Sequence, residues 1–108
     1  MADEDKKRAA HRALVDRILN GEGRASAQQR ARAFANDGLP PPLDTLIDKT
    51  NTRPAQVTGA DFDAARASGV TEDEVFELVI CAAVGHAARL YEAGLAALAA
   101  AERPGRAS

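Results

Sequence analysis

After Thr71 the chain runs thirty residues, from Glu72 to Ala101, without a proline, and beyond Glu77 only Arg89 and Glu92 carry formal charge. Thr71-x-x-Glu74 is a capping box, in which a threonine and a glutamate satisfy each other's backbone amides at a helix start. Glu72, Asp73 and Glu74 then fall in the first turn, where carboxylates meet the positive end of the helix dipole. The pattern predicts a helix over about residues 72–101, bent near Gly94. It is apolar around most of its circumference. Val75, Val79, Ala82, His86 and Ala93 share one side; Phe76, Ile80, Ala83, Ala87 and Leu90 share another, with Leu95 and Leu98 extending the seam. A helix apolar on most faces must be enclosed, by its own fold or by further copies. Small residues at 82, 83, 85, 87 and 88 would let neighbouring helices approach closely.

The remaining chain reads as shorter helices around this rod. Ala10, Leu14 and Ile18 recur at helical spacing and predict a helix over about 4–19, stopped by Asn20-Gly21. Ser26 is a natural N-cap for a second helix reaching about Asn36, anchored by Phe34 and ended by Asp37-Gly38. Pro40-Pro41-Pro42 makes a stiff connector. Leu43, Leu46 and Ile47 predict a short amphipathic helix over about 43–51, followed by a loop through Arg53-Pro54. Thr58-x-x-Asp61, a capping box with Asp in place of Glu, opens a fourth helix that ends at Ser68-Gly69. The fold class expected is therefore all-α, a single small bundle of about five helices over residues 1–102, with a long buried C-terminal helix and a disordered tail over 103–108.

Composition agrees and narrows the function classes. Ala supplies nearly a quarter of the 108 residues, and Ala with Leu, Arg and Glu favours helix. The Ala/Arg/Gly bias also fits a high-GC bacterial genome. The net charge of −2 calls for no polyanionic partner, but the charge is uneven. Residues 1–37 hold eight Lys/Arg against six Asp/Glu, whereas residues 59–78 hold six acids against Arg66 alone. One end of the fold is therefore acidic. A single cysteine, Cys81, excludes an internal disulfide and a multi-cysteine zinc site. The charged start, Met1 to Arg12, contains no apolar core of signal-peptide length, and the weakly polar run Leu78–Ala88 is short for a bilayer. A cytoplasmic protein with no membrane contact is expected.

The stretch Val57–Leu98 resembles the alkylhydroperoxidase D-like and carboxymuconolactone decarboxylase superfamily. The residues that carry the resemblance are Ala65 to Gly69, then Thr71 to Glu77, then Ala82-Ala83-Val84-Gly85. In that family a short helix ends in glycine, a capped turn follows, and a long apolar helix packs into an oligomer. Its peroxidases carry a Cys-x-x-Cys pair with a nearby His, and this chain has no Cys-x-x-Cys. The resemblance thus implies an all-α fold and homo-oligomerisation, and transfers no catalytic residue.

Glu77, Cys81 and His86 form the one cluster with conceivable chemistry, as weak catalytic candidates. Glu77 and Cys81 lie four residues apart and share a face. His86, five residues past Cys81, points about 140° away on an ideal helix, so a Cys–His nucleophilic pair would need a second subunit. The plainer reading makes Cys81 a packing residue and His86 a core or interface residue. A metal site joining His86 to Glu77, Glu74 or His11 lacks any His-x-His or His-x-x-Glu spacing, and no metal or cofactor is expected. Arg89 and Glu92 suit a solvated or intersubunit pair; Tyr91 suits an interface anchor or the edge of the core. Ala64–Thr71 looks like the turn of a helix-turn-helix. The helix it would present, however, begins with Glu72, Asp73 and Glu74, and phosphate binding depends on Lys and Arg, so no nucleic-acid partner is expected. Gly21-Glu22-Gly23 lacks the Lys-Ser/Thr and strand context of a phosphate loop.

Three functions follow from these residues. The first is a non-catalytic or accessory helical homo-oligomer of the family resembled. The second is an enzyme of that family, acting on peroxide or lactone at a subunit interface through His86, Glu77 and Cys81. The third is an adaptor whose acidic segment, Asp61–Glu77, docks on a basic protein surface.

Overall fold

A computed structural model describes residues 2–102, so the tail predicted over 103–108 lies outside the described residues. Among the described residues there are five α-helices: α1 (Ala2–Asn20), α2 (Ala27–Ala35), α3 (Leu43–Thr52), α4 (Gly59–Ala67) and α5 (Glu72–Ala101), with a 3-10 turn over Pro54–Gln56. The fold is an all-α bundle with a long C-terminal helix, as expected. Each start and stop has a local cause. Ser26 Oγ accepts the Gln29 amide at 3.1 Å to open α2, and Asn36, in the left-handed conformation at φ 54°, closes it. Thr58 N–H donates to the Asp61 carboxylate at 2.9 Å. At the start of α5, Thr71 Oγ1 accepts from Glu74 N–H while the Glu74 carboxylate accepts from Thr71 N–H, both at 3.2 Å. Gly69, at φ 101°, turns the chain between α4 and α5 in a conformation that a side chain would strain.

The core lies where α5 meets α2, α3 and α4. Leu43, Leu46 and Ile47 of α3, Ala65 of α4 and Val75, Leu78, Cys81 and Ala82 of α5 are buried together with Ala25 and Ala33. The closest approach is at Gly85. A Cβ there would overlap the backbone at Phe34, and one turn further along α5 Arg89 Nη1 donates to the Phe34 carbonyl at 2.7 Å. The last turn of α2 therefore sits directly on the α5 backbone, with a cation on one of its free carbonyls. Arg89 is used in this way rather than in the pair with Glu92 that the spacing suggested.

The expectation of a buried C-terminal helix needs correction. Burial on α5 is confined to one stripe, Val75, Leu78, Cys81, Ala82, Gly85 and Ala88. Phe76 is 56 % exposed, Ile80 48 %, Leu90 61 % and Leu98 60 %. The short helices are too few to wrap a thirty-residue rod. They cover its inner side as far as Arg89, and beyond it α1 alone lies alongside, antiparallel. None of the α1 side chains described is buried; His11, Val15, Ile18 and Leu19 are half-buried. The protein is correspondingly elongated, 56 × 30 × 20 Å.

Candidate functional site

The ionisable groups nearest the core gather where the end of α1, the start of α2 and the first half of α5 converge. Glu77 projects from α5 into the turn before α2. Its carboxylate accepts the Arg24 amide at 2.7 and 2.8 Å and the Ala25 amide at 2.6 Å. Burial pushes the Glu77 pKa up, but the Ala25 and Arg24 amides, with the nearby Arg30 charge, outweigh it and hold the carboxyl below its usual value. Gly23 belongs to the same arrangement, because a Cβ there would come within 3.0 Å of Glu77 Oε1.

Arg30 is the opposite charge of this cluster. It is buried on α2, and its Nη1 donates to the Gly21 carbonyl at 2.6 Å and to the Ile18 carbonyl at 3.4 Å. A guanidinium thus closes the negative end of α1, while the Glu77 carboxylate holds the turn just before α2. Cys81, one turn beyond Glu77 on α5, is 2 % exposed with its Sγ 3.8 Å from the Ile18 carbonyl. Burial pushes the thiol pKa up, and the Glu77 charge adds to this against the opposing effect of Arg30. The thiolate, the form that reacts, is disfavoured. A cleft of about 190 Å³ opens beside these groups, lined by Arg17, Glu22, Arg30, Glu77, Ile80 and Cys81.

The structure brings Glu77 and Cys81 together, as their spacing implies, and leaves His86 out. His86 is exposed on a flank of α5 between the buried stripe and the outer face, about 180° round the helix from Glu77, and so is not a core residue of its own chain. Among the described residues no group of three His, Cys, Asp or Glu is placed to hold a metal. Tyr91 takes the core-edge position, its ring 4.5 Å from that of His11 in the α1–α5 groove.

The acidic segment is largely used by the fold. Asp61 pairs with Lys49 at 2.9 Å, Asp63 pairs with Arg66, Glu74 caps α5 and Glu77 holds the turn before α2. Glu72 and Asp73 remain exposed. The turn from α4 to α5 therefore presents two carboxylates where a DNA-reading helix would present cations.

The outer face of α5 is the other feature of note. Phe76, Ile80, Ala83, Ala87, Leu90 and Gly94 recur at alternating spacings of four and three, the spacing of a coiled-coil seam. All of them are exposed. By length and composition α5 is also apolar enough to cross a membrane, with a mean hydropathy of 1.2 in its most apolar stretch, of which 28 % is buried.

Comparison of the chain with protein-family models, with curated proteins and with solved structures finds no match in any of the three.

Arg30 is the residue that sequence reasoning missed. Its signal, a cation one turn into a helix that follows an Asn-Gly stop, is present but indistinguishable from the seven other basic residues of the first 37.

Proposed function

We propose that this chain is a non-catalytic helical protein that works as a homo-oligomer, with the outer face of α5 covered by another copy. The observation that carries this reading is the exposed seam from Phe76 to Leu98 on the side of α5 opposite its buried stripe. Exposed large apolar residues in a contiguous strip mark an association surface, and the four–three spacing fits another helix. Lipid fits poorly. The inner side of the same helix carries Glu77, Arg89 and Glu92, and charged groups near the centre of a spanning helix cost several kcal/mol; α2 and α3 also pack against that side. A cytosolic location follows from this reading.

The enzymatic alternative is weaker on the same geometry. Glu77 is fully engaged with backbone amides, Cys81 is a buried thiol and His86 faces away from both. Glu77 serves as a clamp on the turn before α2, and Cys81 as a packing residue. The resemblance to the alkylhydroperoxidase D-like superfamily suits an assembling helix without a Cys-x-x-Cys centre, but the assembly reading stands on the seam alone.

The test is a charge on the seam. Ile80→Glu and Leu90→Glu replace side chains that are half-exposed in the single chain, so the helical circular-dichroism signal should be kept while the assembly dissociates. If both variants sediment as the unaltered protein does, α5 is not the contact.

A further inference from the structure

From the seam and the placement of charge around it, we infer that two copies pair through α5 in antiparallel orientation about a two-fold axis near Gly85, the acidic start of each α5 lying beside Lys6, Lys7, Arg8 and Arg12 of the other. This rests on the reading that a second copy covers the outer face.

Size along the seam points to the orientation. The large residues, Phe76 and Ile80, sit in the first half, small ones at Ala83 and Ala87 in the middle, and Leu90 and then Gly94 in the second half. A parallel pair would set Phe76 on Phe76 and Ile80 on Ile80 and leave a hollow at the alanines. Turned antiparallel, Ala83 meets Ala87 of the second copy at the crossing. Ile80 then meets Leu90 of that copy, and Phe76 meets Gly94, where no side chain fills the space. The alanine crossing lets the two helices come close enough for these outer layers to interlock.

Charge supplies an independent argument. Glu72 and Asp73 are exposed at the start of α5. In this register they reach the level of Ala97 and Leu98 of the second copy. There α1 lies against α5, with Arg8 and Arg12 lining a groove together with Glu92, Leu95, Ala96 and Ala99, and with Lys6 and Lys7 exposed next to them beside Asp3 and Asp5. A parallel pair would instead set the two acidic starts side by side and align the helix dipoles, both unfavourable. The complementarity is local: Lys6, Lys7, Arg8 and Arg12 face the acidic start of the partner's α5, while Asp3, Glu4, Asp5 and Asp16 leave α1 as a whole close to neutral.

Two single spin-label sites distinguish the arrangements, His86→Cys near the proposed axis and Ala97→Cys near one end. Cys81 is buried and serves as the unlabelled background in the otherwise unaltered protein. At a rise of 1.5 Å per residue, the antiparallel register sets the two Ala97 sites roughly 36 Å apart along the helix and keeps the two His86 sites within about 25 Å. Dipolar spectroscopy should read one long and one short distance. Two short distances mean a parallel pair and overturn the inference. So does an oligomer by mass with no coupling at either site, which would place the contact on another face. If mass and coupling both report a single chain, the assembly reading itself fails. A second arm uses charge: Glu72→Lys with Asp73→Lys should weaken association by about tenfold or more in low salt, whereas unchanged association contradicts the pairing of α5 start with α1.

Discussion

Glu77 and Arg30 show how ionisable residues can be structural. Arg30 closes the end of α1 with the charge its dipole favours, and Glu77 holds the turn before α2 through two backbone amides. Glu77→Ala would leave the Arg24 and Ala25 amides without their acceptor, at a cost of about 1–3 kcal/mol, readable as a lower Tm. The pH dependence follows from the depressed pKa. The stabilisation from Glu77 is present above its ordinary value of 4.5 and is lost as pH falls through its lower folded value. Asp61, lowered by the Lys49 hydrogen bond and the Thr58 amide, acts in the same direction. Glu77→Gln should therefore be less stable than the parent at neutral pH and should lose less on acidification, in thermal melts across pH 3–7; parallel loss in both proteins would show that Glu77 is not a native-state clamp. Cys81 should react with a thiol reagent at least about 100-fold more slowly in the folded protein than in denaturant, because its thiol is both buried and held protonated. Rapid native labelling would restore Cys81 as a reactive group.

At the scale of helices, Gly85 sets the spacing between α2 and α5. Gly85→Ala places a methyl group against the Phe34 backbone, which cannot move without shifting α2. Overpacking of this kind costs about 1–3 kcal/mol, or roughly 4–20 °C in Tm for a chain this size. Gly94→Ala, where a Cβ would meet nothing in the single chain, should leave the isolated fold unharmed. The helices themselves were readable from local chemistry, because Ser26, Thr58 and Thr71 act within three residues of where they stand. The end of α2 falls at Asn36, just before the predicted Asp37-Gly38, since asparagine also tolerates the left-handed conformation. Which side of α5 would be inside was not readable. Its apolar residues run round most of the circumference, and only the placement of Gly85 on Phe34 and of Glu77 on the turn before α2 selects the inner stripe. The same ambiguity hid the partners of Glu77 and Arg89, which lie more than fifty residues away in sequence.

The whole molecule is an elongated body whose longest helix has two apolar sides and its own short helices on only one. An α1 with no buried side chain among those described and a half-exposed α5 seam make the single chain a thin shell around a modest core. Charge placed on the seam, as in Ile80→Glu, should raise the dissociation constant by about 100-fold or more, since a carboxylate buried without a partner costs several kcal/mol. The most direct measurement is the mass of the unaltered protein in solution, by sedimentation equilibrium from low to tens of micromolar. A mass rising to twice the 11.3 kDa chain is expected. A well-folded species holding at 11.3 kDa across that range would contradict the account.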